Sequence, residues 1–207
     1  MSLSEDLAGI VGASQVLTGR DLAPYARDWL GKYTWEPLCA VRPACTADVS
    51  AVMALAHRTG TPVVPIAGNT GLNGGTAGDG AIMLSLERMN AIREVRPEAR
   101  LAVVEAGVIL AQLHDAAAEQ DLSFPMTFGA RGSARIGGML GTNAGGSNVL
   151  RYGNTRDLVL GIEVVLADGQ VMDLMGALHK DNSGYALKHL LIGSEGTLGV
   201  ITAAVLK

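Results

Sequence analysis

Residues 68–75 read Gly-Asn-Thr-Gly-Leu-Asn-Gly-Gly and directly follow a short apolar run at 62–66. A second glycine cluster lies at 137–146, and a third, Gly-Ser-Glu-Gly-Thr-Leu-Gly, lies at 193–199. Because glycine has no Cβ and adopts positive φ readily, successive N–H groups in such loops can turn towards an anion. Several such loops in one small domain indicate a large phosphorylated ligand, and we expect a dinucleotide.

The spacing of these glycines excludes two commoner phosphate-binding fingerprints. The chain contains neither G-x-x-x-x-G-K-[ST], the lysine-bearing loop of NTPases, nor a G-x-G-x-x-G that opens a helix after the first strand. What remains is a strand that leads into a G-x-x-G-x-x-G-G loop at 68–75. On these residues alone, an ordinary glycine-rich turn and a non-catalytic nucleotide-binding domain both stay open as alternatives.

Composition narrows the class of protein and of partner. The 207 residues are 48% hydrophobic and carry a net charge of -4, which indicates one folded unit without the basic surface that nucleic acid requires. Glycine is over-represented, with 27 residues that occur in clusters and not at a fixed period. The most apolar stretch, 101–113, falls short of the ~20 residues of a membrane span, so we expect none.

Cysteine usage and the first residues bear on the compartment. Cys39 and Cys45 form no C-x-x-C or metal-type pattern, which is typical of reduced thiols in a cytoplasmic protein. The opening residues carry Glu5 and Asp6 in place of a basic segment and an apolar core, so no signal peptide is predicted.

Hydrophobic periodicity predicts two lobes with a boundary near residue 90. The first lobe is expected to contain a helix and two strands, at 46–60, 62–66 and 81–86. The second is expected to contain hairpins at 92–106 and 158–174, helices at 108–119 and 185–192, and a last strand at 197–206. This division gives an N-terminal segment at 1–45 that packs on the domain, a first lobe at 46–90 and a second lobe at 91–207.

Six ordered motifs resemble those of one known family. They are the loop at 68–75, Ile-Gly-Gly at 136–138 with Thr-Asn-Ala-Gly-Gly at 142–146, Arg-Tyr-Gly at 151–153, and the segments at 160–169, 180–185 and 193–202. Together they are similar to the FAD-binding domain of the vanillyl-alcohol-oxidase (PCMH-type) flavoproteins, and most of all to the D-2-hydroxyglutarate and D-lactate dehydrogenase branch. The resemblance runs in colinear order from Asp28 onward.

The resemblance implies an α+β fold, with a small α/β lobe followed by a larger lobe that has a mainly antiparallel sheet and helices, and with FAD between them. It implies FAD contacts from Pro65, Ile66, Ala67, Gly68, Asn69, Thr70, Gly71, Gly74, Gly75, Gly129, Ser133, Gly137, Gly138, Thr142, Asn143, Ala144, Gly145, Gly146, Glu195, Gly199, Val200 and Ile201. Relatives that attach flavin covalently use a His or Cys in these loops, and none stands there, so we expect noncovalent FAD.

The resemblance also implies the reaction. A D-2-hydroxy acid would pass a hydride from its α-carbon to N5 of FAD and leave as a 2-oxo acid, and a separate electron acceptor would reoxidise the flavin. The family's substrate-binding and metal-binding residues lie in a C-terminal domain absent from these 207 residues, so no catalytic residue and no metal ligand is assigned here. A glycolate oxidase-like FAD subunit is an alternative within the same superfamily.

Overall fold

Two β-sheets divide the chain between Ser85 and Ile92 in the computed structural model, which describes residues 2–207. The first sheet has the order β1-β2-β4-β3, with β1 at Val16–Leu17, β2 at Cys39–Val41, β3 at Val63–Ile66 and β4 at Ile82–Ser85. Strands β2 and β3 run parallel to β4, whereas β1 runs antiparallel to β2. The predicted strands at 62–66 and 81–86 are confirmed, while β1 and β2 were not predicted.

Two helices cover this sheet, α1 at Leu3–Val11 and α2 at Thr46–Thr59. Helix α2 ends where Gly60 adopts a left-handed conformation with φ 65°, as the glycine in the sequence predicted. Its buried stripe includes Val49 and Val52, which belong to the same core cluster as Ile82 and Leu84 of β4. The parallel strands and their connecting helix thus form the predicted small α/β lobe.

The second sheet is antiparallel throughout and has the order β5-β6-β9-β7-β8. Its strands are β5 at Ile92–Arg96, β6 at Leu101–Glu105, β7 at Val159–Val165, β8 at Val171–Leu174 and β9 at Val200–Leu206. The predicted hairpins are both confirmed. All seven residues of β9 are buried, because this strand lies between two neighbours and beneath helices.

Four helices accompany the second sheet: α3 at Leu110–Ala118, α4 at Ile136–Gly141, α5 at Val149–Tyr152 and α6 at Lys188–Leu191. The helix predicted at 185–192 is shorter than expected and spans only Lys188–Leu191. Helix α4 was not predicted, since glycine disfavours helix interiors. Close packing requires glycine there, because a Cβ at Gly137 would lie 2.8 Å from Ala106 Cβ.

The two lobes share buried surface and hydrogen bonds. Val165 of β7 and Val200 of β9 belong to the core cluster of α2 and β4. The Thr46 and Thr202 hydroxyls both donate to Glu163 Oε1, at 2.6 and 2.7 Å. Among residues 2–207, no helix has both the length and the apolar character needed to cross a bilayer.

A close backbone approach between the lobes lies at Gly107. A Cβ on this residue would be 2.1 Å from the Leu86 carbonyl oxygen and 2.6 Å from that of Met89. The Gly107 N–H donates to the same Met89 carbonyl at 2.8 Å, which fixes the two segments against each other. Only a residue without a side chain fits this junction.

We therefore predict that Gly107→Ala destabilises the protein, because the added methyl group forces backbone and not a flexible side chain to move. Overpacking of this kind costs roughly 1–3 kcal/mol or more, and ~1 kcal/mol lowers the melting temperature of a chain of this size by about 2–4 °C. Thermal unfolding followed by circular dichroism measures the change.

Gly9→Ala in α1 is the matched control, since its Cβ would meet nothing within 4 Å, and it should leave stability equal or slightly higher. An unchanged melting temperature in Gly107→Ala would show that the junction is looser than described.

Candidate cofactor-binding site

A cleft of about 460 Å³ lies between the two lobes. Most of its lining comes from three segments: the loop that follows β3, the segment that contains α4 and the residues around it, and the loop that leads into β9. The first loop begins at the carboxyl end of a parallel strand, where α/β sheets commonly place ligands. The three glycine clusters of the sequence therefore meet at one site.

Most of the residues predicted from the sequence line this cleft. They are Pro65, Ile66, Ala67, Gly68, Asn69, Thr70, Gly71, Gly75, Gly137, Gly138, Thr142, Ala144, Gly145, Glu195, Gly199, Val200 and Ile201. Five others do not line it: Gly74, Gly129, Ser133, Asn143 and Gly146.

Packing against the rest of the protein explains the position of most of these five. A Cβ at Gly74, where φ is 67°, would lie 3.1 Å from the Tyr33 ring, and one at Gly146 would lie 2.6 Å from the Thr127 carbonyl oxygen. Asn143 turns its Oδ1 to the backbone N–H of Arg156, at 3.0 Å. Ser133 supports the first loop by its backbone, because a Cβ at Gly68 would lie only 2.1 Å from its carbonyl oxygen. These residues thus hold the loops from outside the cleft.

The first loop presents its backbone N–H groups without using them. Between Asn69 and Thr76, no backbone N–H donates to any other residue that the structure describes. The loop is instead fixed by Asn69, which has a positive φ of 48°. Its Nδ2 donates to the Arg27 carbonyl at 2.8 Å, and its Oδ1 accepts from Thr76 Oγ1 at 2.8 Å. A run of free N–H groups on a pinned loop is suited to bind an anion such as a diphosphate.

The second and third loops are bonded to one another. The N–H groups of Gly193 and Glu195 donate to the carbonyls of Leu140 and Gly141, each at 2.9 Å. The Thr142 hydroxyl donates to the Gly138 carbonyl at 3.0 Å, so this hydroxyl is already engaged within α4. These loops therefore form one rigid wall of small residues, against which a flat ring can lie.

Charge is sparse in the cleft, where Arg135 and Glu195 are the charged residues of the described lining. Arg135 Nη1 donates to the Gly107 carbonyl at 2.6 Å, which ties its guanidinium to the lobe junction. Glu195 has a positive φ of 52°, a costly conformation for a non-glycine residue that is found most often at functional sites. No histidine, cysteine, lysine or tyrosine is among the lining residues of the described chain.

Sequence reasoning missed ten lining residues: Thr76, Leu86, Ala106, Phe128, Ala134, Arg135, Met139, Gly141, Ser194 and Gly196. Several are immediate neighbours of predicted residues, so the motifs could have included them. Leu86, Ala106 and Phe128 lie outside every motif and supply apolar surface. Only the tertiary structure brings these three to the cleft.

The residues present fit a dinucleotide that carries a flat ring. The volume falls within the ~300–1,000 Å³ typical of small-molecule sites, the first loop offers N–H donors for a diphosphate, and the opposite wall is small and apolar. Among the described residues, no group of three or more potential ligands could hold a metal ion. The cleft is thus equipped to bind and orient a cofactor, and its described lining carries one carboxylate, that of Glu195.

Residues 37–175 match the family model described as FAD binding domain. The chain belongs to this FAD-binding family. FAD is therefore the cofactor of this chain, and the resemblance seen in its motifs is confirmed. An alkyldihydroxyacetonephosphate synthase structure superimposes on 98% of the chain and 39% of its own length, with a TM-score of 0.86 at 22% identity, which confirms the α+β fold.

Three relatives are similar over most of the chain. The D-2-hydroxyglutarate dehydrogenase of Xanthomonas citri pv. viticola is 46% identical over 90% of this chain and 40% of its own length. The mitochondrial D-2-hydroxyglutarate dehydrogenase of Bos taurus is 43% identical over 96% of this chain and 37% of its own length. The D-lactate dehydrogenase of Archaeoglobus fulgidus is 46% identical over 83% of this chain and 39% of its own length. The chain spans about two fifths of the length of each of them.

We predict that Gly71→Val weakens FAD binding without destabilising the FAD-free protein. Gly71 lines the cleft, has no positive φ, and a Cβ there would meet nothing within 4 Å, so a side chain can be added beside the ligand without a clash at its Cβ. Titration by flavin fluorescence should show a Kd at least ~10-fold higher, a loss of ~1.4 kcal/mol or more. The melting temperature without FAD should stay within about 2 °C.

Gly132→Val provides the control. A Cβ at Gly132 likewise meets nothing within 4 Å, but this residue does not line the cleft. Its Kd should equal that of the wild type. Equal FAD affinity in both variants would contradict the assignment of the first loop to the cofactor.

Proposed function

We propose that this chain is the FAD-binding part of a flavin-dependent dehydrogenase that oxidises a D-2-hydroxy acid, of the D-2-hydroxyglutarate or D-lactate type, to the 2-oxo acid. The observation that carries this proposal is the 46% identity to a D-2-hydroxyglutarate dehydrogenase over 90% of the chain. A D-lactate dehydrogenase at 46% identity over 83% of the chain keeps both substrate types within the proposal.

The contribution of this chain is to bind and orient FAD. When bound, the flavin supplies the hydride acceptor of the reaction. We assign the 17 predicted residues that line the cleft to FAD contacts, with the free N–H groups of the first loop at the diphosphate and the wall formed by α4 and its neighbours at a ring. The apolar side chains of Leu86, Ala106 and Phe128 keep water from part of the cleft.

We assign the general base and the carboxylate-binding group to the part of such an enzyme that this chain does not span. A positioned base commonly contributes ~100- to 10,000-fold to the rate, and the described lining carries Glu195 as its single carboxylate and no histidine or lysine. The 2-hydroxy acid would therefore meet this chain only at the flavin, and a separate acceptor would take the electrons.

The division of the chain follows the two sheets. We propose an N-terminal segment at 1–45, a first FAD-binding lobe at 46–90 and a second at 91–207. The sheets separate between Ser85 and Ile92, and β1 and β2 of the N-terminal segment join the first sheet, which supports a segment that packs on the first lobe.

We infer a reducing compartment such as the cytoplasm for this protein. Both cysteines are free, and burial raises the pKa of the Cys39 thiol to about 11, which makes it unreactive. The relative from Bos taurus is named mitochondrial, and the mitochondrial matrix is the alternative compartment.

Noncovalent attachment gives a direct prediction. Since no histidine, cysteine or tyrosine lines the cleft in the described chain, acid precipitation of the FAD-loaded protein should release all flavin into the supernatant. Absorbance of both fractions measures the distribution. Flavin that stays with the washed pellet would overturn noncovalent binding.

A chimera tests the proposed reaction. In it, this chain replaces the matched region of the Xanthomonas citri relative, and FAD absorbance is followed anaerobically after each acid is added. We expect bleaching by D-2-hydroxyglutarate or D-lactate and none by the L-enantiomers, while the 207-residue chain alone should bleach only with dithionite. A chimera that binds FAD but reacts with neither D-acid would refute the proposed activity. Rapid bleaching of the chain alone would place a catalytic base within it.

A further inference from the structure

Arg156 lies outside the cleft but contacts two of the loops that form it. It belongs to the 3-10 turn Thr155–Leu158, between α5 and β7. Its Nη1 donates to the His189 carbonyl and its Nη2 donates to the Ile192 carbonyl. The His189 carbonyl belongs to α6, and the Ile192 carbonyl lies between α6 and the third loop. One planar guanidinium thus spans two acceptors at the start of this loop.

The same turn holds the second loop through its backbone. The Arg156 N–H donates to Asn143 Oδ1 at 3.0 Å, and this bond fixes the side chain of a residue with a positive φ of 48°. The N–H and hydroxyl of Thr155 both donate to the Ala144 carbonyl, at 3.0 and 2.8 Å. Thr155 is buried, so these bonds are shielded from water.

Gly193 makes room for this contact. Its φ is 88°, which is strained for a residue with a side chain, and a Cβ there would lie 2.9 Å from Arg156 Nη2 and displace the guanidinium. The Gly193 N–H in turn donates to the Leu140 carbonyl at 2.9 Å. The turn, the second loop and the third loop are therefore linked to one another through Arg156, Gly193 and Asn143.

We propose that Arg156 is a positioning residue that sets the distance between the second and third loops and thereby the affinity and orientation of bound FAD. This inference rests on the proposed assignment of both loops to FAD contacts. Arg156 does not itself line the cleft, so its effect reaches the cofactor through Ala144, Ser194 and Glu195, which do line it.

The experiment compares Arg156→Gln and Arg156→Lys with wild type. Glutamine cannot bridge both carbonyls, and lysine keeps the charge but offers one donor atom. We expect the Kd for FAD, measured by fluorescence titration, to rise about 10- to 100-fold in Arg156→Gln and less in Arg156→Lys. The visible circular dichroism of the bound flavin should change in both, since it reports ring orientation. In an Arg156→Ala variant, added methylguanidinium should restore part of the affinity.

Arg151→Gln is the matched control. Arg151 is exposed, lies five residues upstream and stacks over the Tyr152 ring at 5.3 Å, without a hydrogen bond to either loop. The Arg151→Gln variant should bind FAD with the Kd of the wild type. If Arg156→Gln does not fold without FAD, the lysine variant decides the question.

The outcomes separate this inference from the function on which it rests. Failure of the wild type to bind FAD would contradict the FAD assignment itself. Wild-type Kd and flavin circular dichroism in both Arg156 variants, in a protein that binds FAD, would contradict only the positioning role. A lower melting temperature with unchanged Kd and spectrum would likewise reduce Arg156 to a purely structural residue.

Discussion

Close contact between backbones of the two lobes is the constraint on which the rest of the structure depends. At Gly107 and again at Gly68, the space of a side chain is filled by a carbonyl oxygen of a facing segment, 2.1 Å from where a Cβ would lie. Glycine is the residue that permits such an approach. Because the segments meet this closely at the base, the loops above them stay at a fixed separation, and the cleft keeps its width before any ligand arrives.

The three loops around the cleft divide two tasks between them. In the second and third, N–H groups such as that of Glu195, which donates to the Gly141 carbonyl, bond the two loops to each other. The first is held by the Asn69 side chain and leaves its N–H groups unused between 69 and 76, as far as the described residues show. A frame whose loops are bonded to each other, beside a partly exposed loop with free donors, marks where an anionic ligand can bind.

Much of the fold could be predicted from local patterns, and the failures have physical causes. The turn at Asp168-Gly169 predicted the β7–β8 hairpin, because the dipeptide favours positive φ. Helix α4 could not be predicted, since Gly137 and Gly138 disfavour helix until tertiary packing against Ala106 and Ala67 requires them. Asn143 looked like a ligand donor, yet it faces Arg156. Local sequence cannot tell which partner a polar side chain will meet. Leu86 and Phe128 reach the cleft only through packing.

The position of β9 in its sheet has a consequence for how the protein is made. It is the last strand of the described chain, yet it lies at the centre, between β6 and β7. During synthesis, β5 with β6 and β7 with β8 can form as separate hairpins, but each keeps an open edge until residues 200–206 emerge. Long-range pairing of this kind slows folding, and unpaired edges invite aggregation. The sheet therefore stays incomplete during synthesis until residues 200–206 emerge, and ribosome stalling before them would leave an aggregation-prone intermediate.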